Sequence, residues 1–163
     1  MKCIYCTKEV NGNEKTNEHI IPQWIIKELD IKDYKLNFTP VSKSLIALKP
    51  RTPVTNTLTH KVCKKCNNGW LSDIDKSCIP LLKDLMVGKI PKDLMTTSNI
   101  NKLYILLYKI FLNQFATSPE TFKKEKEDAY IDFFKEKYPP KSVELFFSKV
   151  TNENRKIIIA HLD

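Results

Sequence analysis

Two pairs of cysteines, Cys3-Ile4-Tyr5-Cys6 and Cys63-Lys64-Lys65-Cys66, have the residue types and spacing for metal chemistry. Each CxxC pair offers two thiolates from one tight turn, and two pairs complete the four ligands of a closed tetrahedral zinc site. Sulfur suits zinc because a soft ligand meets a borderline-soft ion. Disulfides and a redox CxxC are the competing uses of the same residues. The chain opens Met1-Lys2-Cys3 with no apolar leader, which argues against an oxidising compartment and hence against disulfides. A redox motif explains one pair and leaves the other without a purpose. Structural zinc on Cys3, Cys6, Cys63 and Cys66 is the expectation. The 56 residues between the pairs exceed a zinc ribbon's gap, so the clip should enclose a substantial, treble-clef-like insert. The fifth cysteine, Cys78, reads as a buried helix residue.

The enclosed segment carries the string Asn17-Glu18-His19-Ile20-Ile21-Pro22, and Cys66 is followed at once by Asn67-Asn68-Gly69-Trp70. The ordered set of CxxC, Glu-His-Ile-Ile-Pro and CxxC-Asn-Asn-Gly-Trp resembles the HNH family of ββα-metal, or His-Me finger, endonucleases in their zinc-containing form. The resemblance covers residues 3 to about 78. It implies a phosphodiesterase acting on DNA, with His19 as the general base that takes a proton from the attacking water. Imidazole suits that task because its unperturbed pKa lies near neutrality. It further implies that Glu18 and Asn67 hold one divalent cation, Mg²⁺ or another, that neutralises the scissile phosphate and the departing 3′-oxygen. Neighbours on a strand point to opposite faces, so Glu18 and His19 can act together only on a distorted strand end, which Pro22 would help to create.

Two departures from the family pattern stand out. Asn67 occupies a position where many members have a ligating histidine, and a neutral amide oxygen is the weaker ligand. The middle asparagine that orients the general base has no clear counterpart, Asn56 and His60 being the nearest candidates. Structural roles compete for the same residues: His19 as a histidine beside the zinc, Glu18 as a solvated strand residue, Asn67 and Asn68 as caps of the next helix. Trp24 and Trp70 read as core residues around the clip, and Gly69 as a point of close backbone packing.

The elements that would position these residues follow from periodicity and punctuation. Residues 18–21 form a short β-like run stopped by Pro22, followed by a helix with Trp24, Ile25 and Leu29 on one face. Residues 31–56 read as loops with short strands. From Asn67, the spacing of Trp70, Leu71, Ile74 and Cys78 predicts a helix that Pro80 kinks or restarts, ending near Gly88. Ser98 is the expected N-cap of a helix carrying Ile100, Leu103, Leu107, Ile110, Phe111 and Phe115. Another helix starts at Ser118-Pro119-Glu120, buries Phe122, Tyr130, Phe133 and Phe134, and ends at Pro139-Pro140. Residues 143–150 and 156–162 read as a β-hairpin. The aromatic stripes are core packing rather than a base-stacking platform. The expected fold class is α+β: a treble-clef or ββα-metal zinc module over 1–90, then a mainly helical accessory region over 91–163 ending in the hairpin.

Composition narrows the class of partner. Twenty-five lysines and two arginines against nineteen acidic residues give a net charge of +8. A polyanion is the natural partner for that excess, because each phosphate contact releases counterions; a lysine-rich composition without functional meaning is the competing account. The most apolar run, 103–112, is interrupted by Lys109 and is far shorter than the roughly 20 residues of a membrane span. A cytoplasmic protein with no membrane partner is therefore expected, with double-stranded DNA as substrate. The second half is free to serve an oligomer or protein partner. The biology would be restriction, mobile-element or phage-defence work. The rival class is a catalytically inactive treble-clef module that binds nucleic acid or protein; it has no need of a Glu-His pair ahead of Ile-Ile-Pro.

Overall fold

The first cysteine pair sits in a turn closed by backbone hydrogen bonds from Cys3 N to Lys8 O (2.9 Å) and from Thr7 N to Cys3 O (3.0 Å). Thr7 takes a left-handed φ of 59° directly after Cys6, the reversal that brings the chain back past its own start. In the computed structural model, which describes residues 1–36, 52–56, 58–86, 96–116 and 127–144, this turn leads into β1 (Lys15–His19). Strand β1 pairs antiparallel with β4 (Leu58–Cys63), so the two cysteine pairs are brought together by one short sheet. The expected β-like run at 18–21 is displaced: β1 begins three residues earlier and ends at His19, with Pro22 the cap of the next helix.

The register of β1 and β4 shifts between Thr16 and Glu18. Thr16 faces Val62 and Glu18 faces Thr59, so His60 and Lys61 together stand opposite the single Asn17. An extra residue of this kind bends a strand and re-aims its side chains. The irregularity lies ahead of Glu18; Glu18 and His19 themselves pair in step with Thr59 and Leu58. Pro22 instead opens α1 (Gln23–Glu28). The inward residue of α1 is Ile26; Trp24 and Ile25 are half-buried and Leu29 is exposed, because the helix is too short to lay a full stripe against the core. Two further strands, β2 (Lys35–Leu36) and β3 (Thr52–Pro53), pair antiparallel within the segment read as loops and short strands.

Beyond β4 the second cysteine pair forms a single turn, α2 (Lys64–Cys66). A kinked turn, Asn67–Leu71, then leads into α3 (Ser72–Met86). Gly69 makes the kink, with φ −94° and ψ −120°; a Cβ built there meets nothing within 4 Å, so close packing is not its role. Helix α3 runs through Pro80 without restarting. Helix α4 (Thr97–Phe115) is capped by Thr96, whose hydroxyl accepts from Asn99 N, rather than by Ser98. The buried face of α4 is also rotated from the expected one: it carries Leu103, Leu106, Tyr108, Lys109, Leu112 and Asn113, while Ile100 is exposed. Helix α5 (Glu127–Glu136) contributes Tyr130 and Phe133. The start expected at 118–120, the position of Phe122 and all but the first residues of the expected hairpin lie outside the described residues.

A single hydrophobic cluster joins residues on both sides of position 90. Cys3, Tyr5, Val10, Val62, Cys63, Cys66 and Leu71 pack with Tyr108, Leu112, Ala116, Tyr130 and Phe133. Tyr5 contacts Trp70 edge to face at 5.3 Å and Tyr130 at 5.5 Å, and Phe133 contacts Trp70 at 5.3 Å and Tyr108 at 5.0 Å. Such pairs add about 0.5–1.5 kcal/mol each beyond their area. The described protein is thus a mixture of helices and small two-stranded sheets around one core.

Phe133 tests whether that core is shared. It is 1% exposed, so Phe133→Ala should cost about 3–5 kcal/mol. Helix loss followed by circular dichroism and loss of β1–β4 amide protection should then occur at the same lowered temperature. Melting of the helices alone would show two independent units.

Candidate functional site

The four sulfurs of Cys3, Cys6, Cys63 and Cys66 lie within 4.8 Å of one another, with Cys6 Sγ 3.7 Å from Cys63 Sγ. Zinc–sulfur bonds of about 2.3 Å at tetrahedral angles place sulfurs about 3.8 Å apart, so the set fits such an ion. Backbone N–H groups are already turned toward the cluster: Cys63 N donates to Cys3 Sγ and Cys66 N to Cys63 Sγ, both at 3.4 Å. A hydrogen bond from Cys66 holds the Cys3 thiol down at about 4. Giving that bond, together with burial, pushes Cys66 up. A bound dication would displace the protons that remain. The Lys137 ammonium lies 4.0 Å over the Trp70 indole; burial lowers its pKa, and the charge of Cys66 and Cys6 works the other way. The four cysteines are positioned to bind a metal ion. Cys78 is buried on α3, apart from them, and donates to Lys102 O at 3.2 Å.

The second arrangement is an open cleft of about 930 Å³ between the end of β1, α1 and α3. Its volume lies at the upper end of ordinary ligand clefts, about 300–1,000 Å³. Glu18, His19, Asn67 and Asn68 all line it, joined by Trp24, Ser72 and Asp75, with Lys27, Lys32 and Lys76 also on its wall. Asn67 Nδ2 donates to Asn17 O at 3.5 Å, tying the start of the kinked turn to β1 across 50 residues of sequence. Trp24 therefore belongs to the cleft, while Trp70 belongs to the clip. Asn56 and His60 fall on the turn before β4 and on β4 respectively.

His19 is half-buried, and its Nε2 lies 3.0 Å from Gln23 Nε2. An amide nitrogen can only donate, so this ring nitrogen accepts and carries its lone pair. Burial lowers the His19 pKa below the ordinary histidine value, and the charge of Lys109 lowers it further. Both effects favour the neutral imidazole.

Glu18 sits differently from the solvated residue that sequence allowed. It is 5% exposed, and its Oε1 accepts from Lys109 Nζ at 2.9 Å and from Asn113 Nδ2 at 3.2 Å. Lys109 is itself 1% exposed and also donates to Asp75 Oδ2 at 2.8 Å and to Leu71 O at 3.3 Å. An ammonium has three protons, and three acceptors meet it. Asn113 donates to His19 O at 3.5 Å and accepts from the Tyr5 hydroxyl at 2.7 Å. The Glu18 and Asp75 carboxyls are raised above their usual range, chiefly by burial, which outweighs the attraction of Lys109. The network thus sets one ammonium against two carboxyl groups behind the cleft. Asp75 Oδ1 is buried without a hydrogen-bond partner among the described residues.

Glu18, Asn67 and Asp75 put oxygen atoms of the kind that hard divalent cations take on the lining of this cleft. Among the described residues, however, the cysteines are the sole group of three or more His, Cys, Asp or Glu side chains whose donor atoms converge. Sequence reasoning missed Lys109, Asn113 and Asp75; their spacing on α3 and α4 gave no sign that they meet Glu18. No family model matches the chain, and no curated protein or solved structure matches it.

Elemental analysis of the purified protein should find one tightly held metal ion per chain. Structural zinc in small motifs contributes about 10–16 kcal/mol of apparent binding energy, so Cys63→Ser should lose the ion and unfold the core that both halves share. Folded wild-type protein with no metal would contradict the clip.

Proposed function

We propose that this chain is a zinc-stapled, HNH-like endonuclease that hydrolyses phosphodiester bonds in DNA. The observation that carries the reading is the meeting of Glu18, His19 and Asn67 on one open cleft whose wall also carries Lys27, Lys32 and Lys76. Support also comes from the chain's net charge of +8, suited to a polyanionic substrate, and from the lone pair held on His19 Nε2. The cysteine clip would hold zinc and give β1, β4 and α3 a treble-clef or ββα-metal arrangement.

In this reading the lysines draw the phosphate backbone across the cleft. His19 Nε2 exchanges its contact with Gln23 for a water and takes that water's proton as the oxygen attacks phosphorus. The bond from phosphorus to the 3′-oxygen breaks, and the leaving oxygen takes up a proton from solvent. Glu18 and Asn67 are the residues that would hold Mg²⁺ or a similar cation, which supplies neutralisation of the phosphate and the departing oxygen. Asn67 contributes an uncharged ligand, so Asn67→His should hold or raise metal affinity.

One observation favours a second reading, a catalytically inactive module that binds nucleic acid or protein. Glu18 Oε1 is already engaged by Lys109 and Asn113, as a purely structural carboxylate would be. Plasmid cleavage separates the two. The proposal expects nicking with Mg²⁺ or Mn²⁺ and none in their absence. His19→Ala should lower the rate about 10²–10⁴-fold while zinc content and duplex affinity stay near wild type. Cleavage by His19→Ala at the wild-type rate would remove the histidine from the mechanism, and DNA binding without cleavage would leave the binding module.

A further inference from the structure

We propose that Lys109 and Asn113, one turn apart on α4, are the positioning residues of the cleft: they fix the Glu18 carboxylate and the Glu18–His19 backbone from behind. The inference rests on the nuclease reading and extends its machinery into the second half of the chain. Both residues are too deeply buried to touch a substrate, at 1% and 0% exposure, so any effect they have must pass through another group. Lys109 reaches Glu18 on β1 and Asp75 and Leu71 on the α3 side. Asn113 grips Glu18 Oε1 and His19 O with the same amide nitrogen, while its oxygen is held by Tyr5. Residues at i and i+4 share a helix face, which is how two adjacent grips arise from one helix.

The arrangement does two things. It pins one oxygen of Glu18 toward the protein interior, leaving the second outside this hydrogen-bond set while the side chain still lines the cleft. It also places one ammonium against the two carboxyl groups of Glu18 and Asp75, so the charge beside the cleft depends on Lys109. Asn113 supplies what the sequence pattern lacked, an amide acting on the Glu-His pair, from outside the segment between the cysteines. Outer-shell partners of metal ligands typically govern affinity by about 10–100-fold.

Mn²⁺ binding to the zinc-loaded full chain, followed by loss of the free-ion EPR signal, reads the site without catalysis. Wild-type protein should bind one Mn²⁺ that Glu18→Gln loses. Asn113→Ala should weaken that binding about 10–100-fold and raise the Mn²⁺ needed for half-maximal cleavage by the same factor, with a smaller effect on kcat. General loosening of the fold would not produce that split. Lys109→Met alone leaves two buried carboxylates uncompensated and can prevent folding. The double variant Lys109→Met/Asp75→Asn is therefore the second test: it removes the ammonium and one carboxyl group together, and with them the ammonium's hydrogen bonds. It too should bind Mn²⁺ about 10-fold or more weakly. If wild type binds Mn²⁺ and both variants match it, this inference fails while the nuclease reading stands. If the double variant alone matches it, Lys109 is a counter-charge only and its positioning role is overturned. If wild type binds no Mn²⁺, the nuclease reading fails and this inference with it.

Discussion

A lysine ammonium with 1% exposure can exist only where every proton finds an acceptor, and Lys109 imposes that condition on its surroundings. Its three acceptors come from β1, the kinked turn before α3, and α3 itself. None of those elements can shift by much without stranding a charge away from water, a loss that typically costs about 3–5 kcal/mol when a buried pair is broken. The register of β1 is part of the same condition. Glu18 reaches Lys109 because the bulge opposite Asn17 turns the strand after Thr16. Asn113 extends the network to Tyr5, between the first two cysteines, so the clip and the cleft lean on the same face of α4.

The clip solves a complementary problem. The sheet it closes has two strands, and neither strand has more than six residues, too little to hold its own register in water. Four thiolates gathered around one ion would fix the end of that sheet where Lys15 faces Cys63, together with the turn that leads into α3. The aromatic cluster of Tyr5, Trp70, Tyr108, Tyr130 and Phe133 then packs the clip against α4 and α5. The cleft wall carries charge of both signs, Lys27, Lys32 and Lys76 beside Glu18, Asp30 and Asp75.

The cysteine pairs were legible because metal binding by thiols depends on residue type and short spacing, both of which a sequence displays. The helices were legible in outline from the recurrence of apolar residues. What failed was the inward face of α4. Apolar periodicity treats Lys109 as an interruption and Asn113 as a surface residue, yet both are buried, because their partners come from residues 5, 18, 71 and 75, which local patterning does not reach. The same blindness put Trp24 beside the clip when it lines the cleft. Gly69 was read as a packing glycine when it makes a kink in open space. Burial of polar residues is set by long-range partners; that information is in the chain, but not at any fixed spacing.

If Lys109 and the core behind it are the condition for the rest, residues 1–90 should not fold alone, even with zinc and all four cysteines. The direct measurement is the amide NMR spectrum and hydrogen exchange of that fragment, refolded with one equivalent of Zn²⁺ and set beside the full chain. The account predicts collapsed chemical-shift dispersion and no protection in β1 and β4, since Tyr5, Glu18 and Leu71 lose their partners on α4 and α5. A well-dispersed spectrum with protected β1–β4 amides would contradict it, and would make the first half a self-sufficient zinc module.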